Sequence, residues 1–452
     1  MTATLVIPAT HPIDTPRRPP AVPRVTTSVL LSAATVASLA PSLLPRAPEV
    51  QAVVTALFAA TALLLSAVLH RITTRLHCRG PQPTARRVAA SVGIVAVAGA
   101  VVAAAHWQNR LRDAMGQPPT GAMHWVEVLC GSVSISAMLI VAGVGSARGV
   151  RAVGTARVTV AALVVVVVGS VFAVPWARHA FSTRYTLADA VVDTDLTAPN
   201  TASQIRWDDL GREGRRFVAA GADGSAIRTY VGLRSAATVD ERALLAVDEL
   251  GRAGGFGKEH IVIAVPTGSG WVDENAVSGI EERFADDVAT VALQYSDQPS
   301  WATFLFAEDA AVDATTALLN AVRDRLRTYD PLSRPELHVY GQSLGSVAGS
   351  AAVQRDSSFV CSTVWAGPPS GEVTAGGGVV LANSSDPVVW WSADLIHERP
   401  DLTDARVDAP VPAWIPVVSY LQTTVDLLSA LNAPAGHGHR YGTDQGTSIR
   451  EC

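Results

Sequence analysis

Leu337-His338-Val339-Tyr340-Gly341-Gln342-Ser343-Leu344-Gly345-Ser346 joins a short apolar run to the start of a helical one. Leu337 to Tyr340 reads as a strand after the breaker pair Arg334-Pro335. Gly341 to Gly345 is a G-x-S-x-G, and Ser346 to Val353 is small-residue helix material. Strand, sharp turn and helix are the context in which that motif lifts a serine off the end of a sheet as a nucleophile. The serine then sits in a strained turn, where a Cβ at either flanking glycine would collide with a neighbouring strand or helix. The helix N-terminus behind it favours developing negative charge. A chain with 35 glycines produces bare G-x-S-x-G patterns by chance. The flanking context and the rest of the chain must therefore carry the reading.

Around this stretch, strand-like and helix-like segments alternate. Phe217-Val218-Ala219, Ile227 to Val231, His260 to Val265, Val288 to Tyr295, Cys361 to Trp365 and Val379 to Ala382 read as strands. Thr238 to Ala253 and Ala307 to Leu326 have helical periodicity. Apolar strands alternating with helices predict a mostly parallel sheet covered on both faces.

A serine hydroxyl is a weak nucleophile and needs a base, an orienting acid and an anion-stabilising pocket. On such a sheet the acid and the histidine follow the serine along the chain. Asp386 lies just past the apolar run Val379 to Ala382, with Pro387 fixing the turn, although a turn aspartate can also simply bond its own backbone. The base is His437 or His439 in Gly436-His437-Gly438-His439, where glycine neighbours leave either ring free to turn; His397 is the other later histidine. A His-x-His can hold metal, but no cysteine or carboxylate stands beside this one, so neither metal nor other cofactor is expected. The oxyanion hole should combine the Leu344 amide with one from Gly268 or Ser269, in the glycine-rich loop after His260 to Val265. As a phosphate loop, that segment lacks the further glycine and the Lys-Ser/Thr pair.

The first half of the chain is of another kind. With 452 residues, 48% apolar and 17% charged, and a mean hydropathy of +0.26, the sequence exceeds one domain and the usual soluble range. The excess falls before residue ~178, in five stretches near 25–44, 52–69, 88–106, 125–145 and 158–176, each about the ~20 residues that cross a bilayer. Residues 1–24 should be a disordered tail, 25–178 a transmembrane helical region, 179–204 a linker and 205–452 the catalytic domain. Arginines cluster in the tail (Arg17, Arg18, Arg24), the second loop (Arg71, Arg75, Arg79, Arg86, Arg87) and the fourth (Arg148, Arg151, Arg157), which places those on the cytoplasmic side. An odd number of spans then puts residues 179–452 outside the cell membrane. The net charge of -5 argues against nucleic-acid binding and leaves the bilayer as the evident partner; protein partners are not specified by the sequence.

In an extracytoplasmic compartment disulfides persist. Cys361 and Cys452 are the only cysteines of that half, and a bond between them would close a loop of ~90 residues for ~2–4 kcal/mol. The alternative is a small buried residue and a free tail thiol.

Several motifs in order, namely Trp207 to Arg212, Tyr230 to Leu233, Pro266 to Val272, Gln294-Tyr295-Ser296, Gly341 to Gly345, Trp365 to Pro369 and Gly436 to His439, resemble the actinobacterial membrane-anchored α/β-hydrolase family. Ser38 to Arg46 is similar to a motif in that family's multi-span N-terminal region. The resemblance implies a helical transmembrane region followed by an α/β-hydrolase domain, and a serine hydrolase acting on carboxylic esters of a lipid or acylated envelope component. It leaves two rivals: acyl transfer to an envelope hydroxyl, and a non-catalytic transport or receptor component whose hydrolase-like domain only binds ligand.

Overall fold

The computed structural model describes residues 22–75, 83–154, 174–193, 196, 203–221, 224–299, 303, 308–371, 373 and 377–452. The expected tail up to residue 21, and most of the fifth apolar stretch, lie outside these residues.

Apolar runs without a polar break form the middle of a sheet, because both of their faces are covered. Every residue of β2 (His260–Val265) and β3 (Val288–Leu293) is buried. With β1 (Ile227–Val231), β4 (Glu336–Gln342), β5 (Val360–Ala366) and β6 (Val379–Leu381) they make a six-stranded sheet of order β1-β3-β2-β4-β5-β6, every pairing parallel. From β2 the chain turns back toward β1, and from β4 it proceeds outward to β5. The crevice between the carboxyl ends of β2 and β4 is thus the switch point at which such sheets bind ligands.

Helices between the strands follow the expected periodicity. Val239–Arg252 starts at a capping box between Thr238 and Glu241, which satisfies two otherwise unpaired amides. Glu308–Leu326 packs against both Val239–Arg252 and Leu344–Arg355. Phe217-Val218-Ala219, by contrast, is not a strand. It ends the helix Gly211–Ala219, with Phe217 turned into the core. Asp189 causes this: its carboxylate accepts the Arg212 amide at 2.9 Å and sits where a Cβ on Gly211 (φ +72°) would fall.

The N-terminal region is helical: α1 (Val25–Ser38), α2 (Pro48–Arg75), α3 (Pro83–Ala114) and α4 (Ala122–Val153). Among the described residues, three helices, α2 to α4, are long and apolar enough to cross a membrane. The first stretch differs from expectation. Its helix has 14 residues, ~21 Å at 1.5 Å each, and stops before Pro41, because proline disfavours helix in the residue before it and cannot donate within one. The expected linker also differs, since the helix Val174–Ala190 runs through its first part and delivers Asp189 to the sheet domain.

Residues 39–46 leave α1 as an irregular segment wedged between the helices and the sheet domain. Arg46 is buried and bonds both Asp426 (Nη2–Oδ1 2.8 Å) and the Gln422 carbonyl (3.0 Å). The Leu43 amide donates to the other Asp426 oxygen at 2.7 Å. From the helices, Gln108 accepts the Arg46 amide at 2.9 Å and Trp107 donates to the Ser42 carbonyl at 2.9 Å. Leu43, Leu44, Leu111 and Met115 complete the joint against Trp390, Leu395 and Ala433.

Candidate active site

Ser343 follows β4 directly, with φ +54° and ψ -125°, a backbone that a residue with a side chain adopts only under strain. The turn is held by the Ser343 amide, which donates to the Ala366 carbonyl of β5 at 2.9 Å. Both glycines are sterically required. A Cβ on Gly341 would lie 2.3 Å from the Gly345 carbonyl oxygen, and one on Gly345 would lie 2.3 Å from that of Val265 on β2. Leu344 opens the helix behind the serine.

Asp386 follows β6 and is completely buried. One carboxylate oxygen accepts the Val388 amide at 2.8 Å. The other lies 2.7 Å from His439 Nδ1 and accepts the Tyr441 hydroxyl at 2.8 Å. Burial, and then the facing Asp386 carboxylate, push the Tyr441 phenol well above its ordinary range, so it donates throughout the working pH range. Of the two histidines left open by the sequence, His439 is the one at Asp386. His437 instead places Nδ1 3.0 Å from Asp408 Oδ2, and Asp408 in turn accepts the Ser384 hydroxyl and the Ser385 amide. His397 is exposed, with Asp394 and Glu398 beside it.

The loop carrying His439 is held by the acid loop and by the segment before it. Asn383 Nδ2 donates to the Gly438 carbonyl at 2.9 Å, the Gly438 amide to Ser385 Oγ at 2.8 Å, and the His439 amide to Ala430 at 3.1 Å. Gly367 (φ +54°) lets the imidazole in, since a Cβ there would come 2.8 Å from its Cε1. Sequence reasoning missed Tyr441, Asp408 and Gly367. Gly367 lies within the motif Trp365 to Pro369, and Tyr441 two residues beyond His439.

Ser343, Leu344 and His439 line one cavity of about 540 Å³ with Thr267, Ser269 and Trp271 of the loop after β2. That loop closes on itself through the Thr267 and Gly270 amides. Two buried tyrosines hold it from behind: Tyr230 donates to the Gly270 carbonyl at 2.7 Å and Tyr295 to that of Pro266 at 2.8 Å. Gly268 stands between the two lining residues Thr267 and Ser269. Val388, Trp391, Leu427 and Leu431 form an apolar wall, while Arg212 and Arg216 flank Glu213 at a polar end. A cavity lined by a serine and a histidine, with an apolar wall and a polar end, has room for an acyl group beside Ser343.

Cys361 and Cys452 are joined as a disulfide, with Cα atoms 5.5 Å apart, at the other end of the sheet from this cavity.

Residues 227–375 and 374–450 match the family model described as the alpha/beta-hydrolase family, and residues 39–222 match the one described as that family's N-terminus. No curated protein and no solved structure matches the chain. The matched segments take in the helical region, the elbow, the acid loop and the paired histidines, and the chain belongs to the α/β-hydrolase family.

Proposed function

We propose that the protein is a membrane-bound serine hydrolase, its catalytic domain outside the cytoplasm, that cleaves carboxylic esters of lipids or acylated envelope components through an acyl-serine intermediate. The observation that carries this reading is the 2.7 Å contact between His439 and the buried Asp386, on a histidine that shares a cavity with the strained Ser343. Ser343 attacks the ester carbonyl while His439 takes its proton. Asp386 fixes the imidazole tautomer and stabilises the imidazolium, and Tyr441 holds Asp386. The Leu344 amide and one from Gly268 or Ser269 hold the oxyanion. His439 returns the proton to the leaving alcohol, and water repeats the sequence to release the acid.

The apolar wall favours an acyl chain, and the site's surroundings favour a lipid source. Leu428 and Leu431 stand exposed beside the cavity at 81% and 57%, and Gln422 of the same segment bonds the Ala37 carbonyl at the end of α1. A lipid could therefore pass to the cavity with little exposure to water.

Two features support the orientation. The segment 39–46 and the α3–α4 connection lie at the end of the helices that meets the sheet domain, through Arg46, Leu111 and Met115. Arg71, Arg75, Arg86 and Arg87 lie at the opposite ends of α2 and α3, the arrangement the positive-inside rule associates with an extracytoplasmic domain.

A fluorophosphonate probe applied to the full-length protein in detergent tests the chemistry. It should label the wild type and leave Ser343→Ala unlabelled; equal labelling of both would refute the assignment.

A further inference from the structure

The cavity at Ser343 uses the carboxyl ends of β2 and β4. At the amino ends of the same strands, roughly 20 Å away at ~3.3 Å per residue, three further side chains converge. His260 is paired with Glu336 across the β2–β4 ladder, and His338 lies two residues beyond Glu336, on the same face. His260 Nδ1 lies 3.3 Å from His338 Nε2 and 3.5 Å from Glu336 Oε2, and His338 Nε2 lies 3.8 Å from that oxygen.

We propose that His260 Nδ1, His338 Nε2 and Glu336 Oε2 form a binding site for a zinc-class divalent cation, which clamps the amino edge of the sheet to the carboxyl-terminal tail.

The separations fit the chemistry. Ligand atoms at ~2.1 Å from a tetrahedral zinc lie ~3.4 Å from one another, and two imidazoles with a carboxylate are an established donor set for that ion. The tautomer also fits. His338 Nδ1 lies 2.9 Å from Ser362 Oγ, and Ser362 spends its own proton on the Arg450 carbonyl at 2.9 Å. The hydroxyl therefore accepts from Nδ1–H, which leaves the Nε2 lone pair facing His260 and Glu336. Such outer hydrogen bonds orient metal-bound histidines. A histidine must be neutral to take a cation, so the charge of the nearby Arg283 matters. The Arg283 guanidinium is itself engaged, with Glu451 at 3.0 Å and the Ile449 carbonyl at 3.0 Å.

Glu336 is one-third exposed, at 32%, and gives the ion a path from solvent and a water to complete its shell. The neighbouring sulfurs of Cys361 and Cys452 are bonded to each other and are not thiolate ligands. The tail is tied in twice, by the Cys452 amide on Glu336 Oε2 at 3.3 Å and by Arg450 on Ser362. A metal here would join β2, β4, β5 and residues 450–452 in one unit. A plain hydrogen-bonded histidine pair is the competing account, with a single proton between the two rings.

The test uses the full-length protein in detergent, stripped with EDTA, reloaded with zinc chloride and passed through a desalting column. Elemental analysis should find one zinc per chain, and zinc should raise the thermal midpoint in a way that EDTA reverses. His260→Gln and Glu336→Gln should lose both the zinc and the thermal response. Ser362→Ala removes no ligand and should bind zinc ~10–100-fold more weakly. Wild type that holds no more zinc than His260→Gln, or zinc binding undiminished in Ser362→Ala, would overturn the proposal. The Ser362→Ala comparison remains available even if a histidine variant fails to fold.

Discussion

Ile261, Val262, Ala264, Val288, Val291 and Val339 of the sheet are completely shielded, whereas Leu64, Ile94, Val95, Val102 and Val141 of the helical region face outward at 68%, 70%, 72%, 71% and 72% exposure. Polar residues are buried in both halves. Ser28, Ser38, Gln51, Ser66 and Gln108 are buried between the helices. Large apolar residues thus face outward along the helices and inward in the sheet. Water drives apolar side chains inward in the sheet domain. In lipid that drive is absent, and helices associate through small residues and hydrogen bonds instead. Gly93 shows the packing side of this: a Cβ there would meet the Ser32 hydroxyl at 2.2 Å.

The strongest way to separate the halves is to abolish the chemistry of one and leave the other intact. Ser343→Ala should lower ester turnover on the order of 10⁶-fold, as triad members act as a unit, with membrane insertion unchanged in a fractionation assay. His439→Ala should cost nearly as much. His437→Ala should cost far less, because His437 braces the loop through Asp408 and lies away from Asp386. Equal losses in the two histidine variants would mean that the Asp386 contact does not identify the base.

That histidine choice marks the boundary of what the sequence makes legible. The strands β2, β3 and β4 are evident as uninterrupted apolar runs, and the elbow is evident because its glycines are forced by Gly345 and Val265 backbone oxygens. His437 and His439 have the same glycine context. Their difference lies in which carboxylate the fold delivers, Asp408 or Asp386, and neither is near them in sequence. Phe217-Val218-Ala219 misleads for a related reason: three apolar residues have no period, and the Asp189 that caps the helix comes from over 20 residues earlier. The His260–Glu336–His338 cluster gives no local pattern either, since 78 residues separate its two histidines. Parallel pairing brings such residues together, and spacing along the chain does not reveal it.

The joint between the halves is the next place to test. Arg46 and Asp426 are 2% and 0% exposed in their side chains. Removing one member of a buried ion pair strands the other, at ~3–5 kcal/mol. Asp426→Ala should therefore lower the thermal midpoint of the full-length protein and open residues 39–46 to protease, whereas replacing the exposed Asp394 should do neither. Protection unchanged in Asp426→Ala would mean that the halves are held by the apolar contacts around Leu43 and Leu44 alone.

The smallest effect sharpens the contrast most directly, because it compares one kind of bond in the two environments. In the sheet domain the Tyr340 hydroxyl donates to Gln445 Oε1 at 2.6 Å, both groups being buried. Tyr340→Phe leaves that oxygen without its donor and should cost ~1–3 kcal/mol, the penalty of an unpaired buried polar atom. Between α1 and α2, Thr27 and Ser66 share a hydroxyl bond at 2.6 Å. Ser66→Ala removes it, yet should cost only ~0.6 kcal/mol, since hydroxyls of separated helices in a bilayer find other partners. Thermal unfolding reads the first and detergent-titrated unfolding of the helices reads the second. If the Ser66 variant lost as much as the Tyr340 variant, lipid would not be supplying those alternatives, and the interior of the helical region would be governed by the same rules as the core of the sheet domain.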